Sequence, residues 1–149
     1  MKYIEEEKNK QGCVFCDALA QSDGPDNLIV HRGHHAFQIL NRYPYTSGHL
    51  MVLPFSHSPA LSDLDADTRA EMMEIMNRGT LVLKEIYQPQ GFNLGANIGE
   101  AAGAGIEEHV HLHIVPRWSG DTNFMSSLGQ TRVLPEDLAE TYTKVSAAW

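Results

Sequence analysis

Short stretches of the chain alternate apolar and polar residues or run as brief apolar segments. These patterns predict β-strands at residues 28–31, 36–41, 49–54, 91–99 and 109–115. The first two predicted strands flank the turn-like sequence Arg32-Gly33-His34, and such closely spaced strands favour antiparallel pairing. The strand pattern therefore predicts a mainly antiparallel sheet.

Two other stretches show helical periodicity. Residues 65–87 carry apolar side chains at near-helical spacing, which predicts one long helix capped by Ser62 or Asp65. Residues 135–149 are predicted to form a C-terminal helix, because Pro135 suits a first helical position and apolar residues line one face. Strands that cluster around one long helix, without a βαβαβ alternation, predict an α+β fold.

Length and charge limit the classes of protein that fit this chain. Its 149 residues fit one domain, residues 1–149, with a polar N-terminal arm at residues 1–11. No apolar run approaches the roughly 20 residues that span a bilayer, and the charged N-terminus differs from a secretory signal. The net charge of -8 disfavours non-specific nucleic-acid binding, which needs a basic surface. We therefore expect a cytoplasmic protein that binds neither nucleic acid nor membranes.

Both cysteines lie in the segment Cys13-Val14-Phe15-Cys16. A C-x-x-C pair in this context can be half of a zinc site, a redox pair or two unconnected core thiols. The redox interpretation expects a strand-to-helix junction of a βαβ unit, whereas this pair follows a polar arm. Zinc requires two further ligands, for which the 8 histidines of the chain are the plentiful candidates.

Three histidines alternate with apolar residues in the strand predicted at residues 109–115. Because successive side chains of a strand alternate between faces, His109, His111 and His113 are expected on one face. Neighbours on one face lie roughly 6.5–7 Å apart, and zinc–nitrogen bonds are only about 2.0–2.1 Å long, so a straight strand cannot place all three on one ion. A division of labour, with one nucleophilic imidazole and orienting, donating or ligating neighbours, agrees better with this geometry. A solvated polar face is the plain alternative.

The loop that precedes this strand is rich in small residues, at positions 101–106. Such residues let backbone N–H groups approach a phosphate closely, although a tight connection has the same composition. Asn97 can add an amide donor, Arg117 suits a phosphate, and Trp118 suits a stacked base. Arg117 can equally be a surface ion-pair partner, and Trp118 a core residue.

These residues resemble the histidine triad (HIT) superfamily, whose motif His-φ-His-φ-His-φ-φ, with φ apolar, is matched at residues 109–115. Residues 41–50 are similar to the N-x-x-P-x-x-x-G-H segment of the family. The likeness extends from Cys13 to Phe124. It implies a five-stranded antiparallel sheet with two helices, in a homodimer or higher homo-oligomer that usually forms through the long helix.

The resemblance also implies a chemistry and a set of site residues. The family forms nucleotidyl-histidine intermediates on substrates that contain an α-phosphate. Carried over to this sequence, His111 is the nucleophile, His109 and His113 flank it, and His49 supports the triad. The implied substrate contacts are Asn41 for the ribose or base, Asn97 and the backbone of Ala104, Gly105 and Ile106 for phosphate, and Trp118 for the nucleotide.

Within the family, residues 91–95, 103–108 and 116–125 resemble a bacterial branch of diadenosine tetraphosphate phosphorylases more than the phosphoramidase branch. The expected substrate is a dinucleoside polyphosphate, with inorganic phosphate or water as the acceptor. A hydrolase, a purine nucleoside phosphoramidase and a non-catalytic nucleotide-binding module are the alternatives. The loop Gly103-Ala104-Gly105 lacks the Gly-Gln pair of many HIT hydrolases, so only backbone contacts to phosphate are expected there.

Some HIT proteins and related uridylyltransferases hold a structural zinc ion with a CxxC pair, a histidine after the strand that ends in Pro, and the first triad histidine. The matching residues are Cys13, Cys16, His57 and His109. A Cys2His2 set agrees with the ligand preference of zinc. Otherwise the cysteines are core thiols and His57 is a surface residue. The three histidines within residues 31–35 have no comparable role and are expected to face solvent.

Overall fold

The computed structural model describes residues 12–121 and 136–149, and its sheet confirms the expected architecture. The strands are β1 (Ile29–Arg32), β2 (Ala36–Leu40), β3 (Leu50–Pro54), β4 (Gly91–Gly95) and β5 (Leu112–Arg117). They form one five-stranded sheet in the order β1-β2-β3-β5-β4, and every neighbouring pair is antiparallel. The predicted α+β fold is therefore confirmed. The predicted arm at residues 1–11, Phe124 and Pro135 lie outside the described residues.

The helices that the structure describes are α1 (Val14–Leu19), α2 (Ala66–Tyr87) and α3 (Leu138–Ala148), with short 3-10 turns at Leu61–Asp63 and Glu100–Ala102. The long helix is α2, and its N-cap is Asp65, whose side chain accepts a hydrogen bond from the Thr68 N–H. The C-terminal helix begins later than predicted, because Asp137 caps it. None of the described helices is long and apolar enough to cross a membrane.

Helix α2 packs across β2, β3 and β5 and buries its predicted apolar stripe, including Met72, Met76 and Leu83. Gly79, in the middle of this helix, lies directly against the sheet. A Cβ atom there would lie 2.4 Å from Nε2 of Gln38 and 2.9 Å from Cδ1 of Ile114. A glycine at this position therefore allows the close approach of helix and sheet, at the cost of some helix propensity.

Strand β5 differs from the predicted strand at residues 109–115. It begins at Leu112 and continues through Pro116 to Arg117. The carbonyl of Pro116 accepts a hydrogen bond from Oγ1 of Thr46, beyond the last pair of β3 with β5, Leu50 with Ile114. Because the N and C=O of one residue point to the same side of a strand, the missing N–H of Pro116 removes no hydrogen bond between strands.

Candidate functional site

A cavity of about 370 Å³ opens beside the histidines, a volume in the range of small-molecule sites. The predicted site residues that line it are Asn41, Asn97, Gly105, Ile106, His111 and His113. Apolar residues from α1, β2 and β3, including Phe15, Ile39 and Met51, form another part of its wall. The cavity thus combines an apolar compartment with two imidazoles and the amides of Asn27, Asn41 and Asn97.

The small-residue loop reaches the cavity through its backbone. Gly103 and Gly105 line the cavity, and no atom lies within 4 Å of the place where a Cβ of either residue would stand. Gly103 has a φ of 85°, a conformation that favours glycine. The main chain of this loop is therefore open to a ligand at these two glycines.

His111 is held in a defined tautomer. Its Nδ1 lies 2.9 Å from the backbone carbonyl of His109, which can only accept a hydrogen bond, so Nδ1 carries the proton. In the neutral ring Nε2 then has a free lone pair. His111 is 7% exposed and lines the cavity, so this lone pair belongs to a partly desolvated imidazole that is available for bonding to a ligand.

His113 and His49 form a hydrogen-bonded pair behind the cavity. The backbone N–H of Tyr45 donates to Nδ1 of His49 at 3.2 Å, which places the His49 proton on Nε2. That Nε2 lies 2.8 Å from Nδ1 of His113 and donates to it, so the neutral His113 carries its own proton on Nε2. His111 is therefore an acceptor at Nε2, whereas His113 is a donor at Nε2.

Burial keeps these supporting imidazoles uncharged. Burial, together with the smaller effects of the neighbouring His113 and His111, lowers the pKa of His49 to about 3. It also lowers the pKa of His113 to about 4, with His111 as the second cause. Both rings are neutral near pH 7, which is the state that the tautomer assignment requires.

Cys13, Cys16, His57 and His109 form a second cluster, whose ligand atoms all lie within 4.8 Å of one another. Nδ1 of His109 is 3.5 Å from Sγ of Cys13 and 3.7 Å from Sγ of Cys16. Nδ1 of His57 is 3.4 Å from Sγ of Cys16. Tetrahedral zinc with ordinary Zn–S and Zn–N bonds separates sulfur from nitrogen by about 3.6 Å, so the four residues match a metal site in type and spacing.

A hydrogen bond orients His109. Its Nε2 donates to the carbonyl of Pro54 at 2.8 Å, so the neutral ring presents its Nδ1 lone pair to the cysteines. Hydrogen bonds of this kind usually support metal-ligating histidines. Near the other cluster histidine, a carboxylate oxygen of Glu108 lies 3.8 Å from Nε2 of His57.

The sequence model of the HIT domain matches residues 22–120. The chain belongs to the HIT family. This HIT protein is 39% identical over 131 residues to the AP-4-A phosphorylase of Mycobacterium tuberculosis, a match that covers 88% of this chain and 67% of the relative. It is 28% identical over 113 residues to an uncharacterized HIT-like protein of Saccharolobus solfataricus, which covers 76% of this chain and 79% of that relative.

Solved structures of the same family agree with the fold of this HIT protein. The Zn-bound histidine triad family protein from Mycobacterium smegmatis has a TM-score of 0.74 and 29% sequence identity, and covers 93% of this chain and 94% of its own. A hypothetical histidine triad nucleotide-binding protein from Sulfolobus tokodaii has a TM-score of 0.70 and 28% sequence identity. The match covers 91% of this chain and 88% of that protein's chain.

Two residues expected to contact the substrate of this HIT protein do not line the described cavity. Ala104 is absent from its wall, although both neighbouring glycines belong to it. Trp118 lies elsewhere, since its Nε1 donates to the carbonyl of Tyr87 at 3.3 Å. Arg117 pairs with Asp121 through an N–O contact of 2.6 Å. Of the two alternatives expected for Arg117, the ion-pair partner therefore agrees with this contact.

Several parts of the site were not recognised in the sequence. Helix α1 contributes Val14, Phe15 and Ala18 to the cavity, yet six residues are too few for a periodic signal. Tyr45 contacts His49 from an unspecified position of the N-x-x-P-x-x-x-G-H segment, so the motif gave no sign of this contact. The expectation that all three histidines of residues 31–35 face solvent is wrong for His31, because α3 brings Trp149 back to stack on its ring at 4.0 Å.

Proposed function

We propose that this HIT protein is a nucleotidyl transferase that acts on the α-phosphate of dinucleoside polyphosphates, as a diadenosine tetraphosphate phosphorylase. The observation that carries the proposal is the Nε2 lone pair of His111, fixed by the His109 carbonyl in a residue that lines the cavity. The 39% identity to a relative named AP-4-A phosphorylase supports the choice of substrate.

The first step forms a bond from Nε2 of His111 to the α-phosphorus and breaks the bond from that phosphorus to the bridging oxygen. For diadenosine tetraphosphate, ATP leaves and AMP stays on His111. Nε2–H of His113 donates a hydrogen bond to an oxygen of the reacting phosphate, and backbone N–H groups near Gly105 stabilise its developing charge. In the second step, an oxygen of inorganic phosphate attacks the same phosphorus, which releases ADP and restores His111.

The amides of the cavity are assigned to binding. Oδ1 of Asn41 accepts a hydrogen bond from the Tyr43 N–H at 2.9 Å, which leaves the amide NH2 group for the ribose or base. Asn97 lies beside the small-residue loop and is assigned to the phosphates, together with the backbone of that loop. The apolar wall around Phe15 and Ile39 is assigned to the base.

The metal cluster is assigned to zinc with a structural role. Its four residues match the Cys2His2 preference of zinc, and the Zn-bound histidine triad protein of Mycobacterium smegmatis supports this choice. When bound, zinc supplies a cross-link between α1, the segment after β3 and the start of the triad. The proposal also includes a single domain, a homodimer or higher homo-oligomer and a cytoplasmic location.

An assay on diadenosine tetraphosphate, with and without inorganic phosphate, tests the proposal when the products are separated by chromatography. ADP plus ATP that require phosphate identify a phosphorylase. AMP plus ATP without phosphate identify a hydrolase instead. If neither pair forms, the substrate is another nucleotide ester or a phosphoramidate, and the proposed substrate is wrong. The absence of any turnover, with AMP still bound, would identify a binding module.

A further inference from the structure

Helix α1 carries two sets of contacts on neighbouring faces. Cys13 is its N-cap residue and Cys16 follows three positions later, so both reach the metal cluster. Phe15 and Ala18, also three positions apart, line the cavity. One short helix thus forms a side of the metal cluster and a wall of the nucleotide pocket.

Phe15 is the residue that touches both regions. Its ring centroid lies 5.7 Å from that of His109, in an edge-on arrangement, and 5.2 Å from that of His111. Its side chain is buried, with 5% of the residue exposed. Phe15 therefore packs between a ligand of the cluster and the proposed nucleophile.

The position of α1 depends on contacts with other parts of the chain. Isolated helices shorter than about 12–15 residues are marginal in water, and α1 has 6 residues and no side-chain hydrogen bond at its N-cap. Its C-terminal end is held by Asn27, which donates to the Ala18 carbonyl, and by Arg32, which donates to the Leu19 carbonyl. At its N-terminal end, the cysteines contact the cluster histidines.

A second connection runs through the main chain of His109. This residue presents Nδ1 to the cluster, and its carbonyl orients His111. A metal ion on Nδ1 would restrict the rotation of the His109 side chain, which the Pro54 carbonyl also holds. The cluster and the proposed nucleophile are thus joined by a ring contact and by a hydrogen bond.

We infer that metal binding at the cluster and nucleotide binding in the cavity are energetically coupled, with Phe15 as the positioning residue that transmits the coupling. A bound metal orders α1, so the wall of the pocket is formed before the nucleotide arrives. By thermodynamic linkage, the nucleotide increases the affinity for the metal by the same factor. The inference rests on the proposed function, because it takes a nucleotide as the ligand of the cavity.

The test uses the full chain with Zn²⁺ and AMP. Zinc affinity is measured by equilibrium competition with a chromogenic chelator, at zero and at saturating AMP, and AMP affinity is measured by calorimetry with and without zinc. We expect AMP to tighten zinc binding about 5-fold or more, and zinc to tighten AMP binding by an equal factor. Equality of the two ratios checks the two measurements against each other. The readout that a merely structural role of Phe15 would not produce is a loss of both ratios in a Phe15 variant that still binds zinc and AMP.

Two variants locate the coupling. Phe15→Leu keeps a buried apolar side chain but removes the ring. We expect this variant still to bind zinc and AMP, with the ratio of zinc affinities with and without AMP, and the ratio of AMP affinities with and without zinc, both close to 1. Val14→Ala alters the cavity wall from the same helix at a residue that is 56% exposed, and both ratios are expected to stay at the wild-type value. Circular dichroism checks that each variant is folded.

Several outcomes would overturn the inference. Equal zinc affinities with and without AMP in the wild-type protein would show that the sites are independent, while AMP binding itself would leave the proposed function standing. If the Phe15→Leu protein showed the same coupling between zinc and AMP as the wild-type protein, Phe15 would not transmit the coupling. A zinc-loaded protein that binds no AMP would contradict the proposed function, and the coupling with it.

Discussion

The backbone carbonyl of His109 accepts a hydrogen bond from Nδ1 of His111 at 2.9 Å. The same His109 directs its own Nδ1 to Cys13, at 3.5 Å from Sγ. One residue therefore orients the proposed nucleophile with its main chain and takes part in the metal cluster with its side chain. This double use explains how a division of labour arises within three alternating histidines.

Replacing His49 by Asn is expected to lower turnover without removing substrate binding. The His49 Nε2–H donates to Nδ1 of His113 and fixes the His113 proton on Nε2. Loss of that donor leaves the tautomer of His113 undefined, so kcat should fall by about 10- to 100-fold. Steady-state kinetics measure this effect. An unchanged kcat would show that the hydrogen bond from His49 to His113 does not contribute to the reaction. His34→Asn, at a side chain that is 94% exposed, is the matched control.

The stability of the protein is expected to fall as the pH drops below the ordinary pKa of histidine. Burial, followed by His113 and His111, lowers the pKa of His49 to about 3, so the unfolded chain binds a proton from near pH 6.5 downwards while the folded chain does not. This contribution to stability is fully present above pH 6.5 and is lost as the pH falls towards 3. Between pH 7 and pH 5 the loss of this contribution amounts to up to about 2 kcal/mol in the free energy of unfolding.

Urea denaturation at pH 7 and pH 5 measures this linkage. The His49→Asn variant should lose less stability between the two values than the wild-type protein, by up to about 2 kcal/mol. Comparing the two proteins removes the contributions of the other buried histidines, which both retain. Equal losses in both proteins would mean that His49 titrates normally in the folded state.

Removal of the metal is expected to destabilise the fold. Because the cluster ties α1 to His57 and His109, treatment with a chelator should lower the melting temperature and leave the apo protein more sensitive to protease. Cys16→Ser should reduce the zinc content measured by atomic emission, whereas His34→Asn should not. A wild-type protein that carries no zinc after purification in zinc-containing buffer would refute the zinc assignment.

Gly79→Ala is expected to destabilise the protein, although alanine is the better helix former. The added Cβ would lie 2.4 Å from Nε2 of Gln38 and 2.9 Å from Cδ1 of Ile114, so these buried side chains or the helix itself must shift, at a cost of about 1–3 kcal/mol. Met73→Ala, at an exposed position of the same helix, should change stability by less than about 0.5 kcal/mol. Urea denaturation compares the two, and a stabilised Gly79→Ala protein would show that α2 does not pack this closely.

Much of the fold could be predicted because its strongest signals are local. Helix α2 has an apolar pattern of helical period, and strands β2 and β3 are short apolar runs that are buried on both faces. Their observed ends lie within one residue of prediction. Helix α1 was missed because its 6 residues show no repeat, and tertiary contacts hold it in place. Strand β5 extends past Pro116 because the missing N–H faces the side where β3 has ended.

Site residues could be predicted where residue type and spacing in a motif identify them. They could not be predicted where their positions depend on packing between distant parts of the chain. The alternating histidines indicated a chemical site, and the resemblance to the HIT family added His57 and His109 to the pair Cys13 and Cys16 as the set of metal ligands. The expected contact from Trp118 depends instead on how the chain turns after β5, where its indole donates to the carbonyl of Tyr87. The contacts of Phe15 with His109 and His111 join residues far apart in sequence, and no local pattern reports them.

The proposed function depends on the nucleotidylation of His111 at Nε2. The most direct measurement mixes the protein with diadenosine tetraphosphate in the absence of phosphate, quenches in alkaline denaturant within one turnover, and locates the added mass by peptide mass spectrometry. We predict one added AMP group on His111, no adduct in His111→Ala, and retained AMP binding in that variant. An adduct on another residue, or ADP plus ATP production by pure His111→Ala at the wild-type rate, would contradict the account.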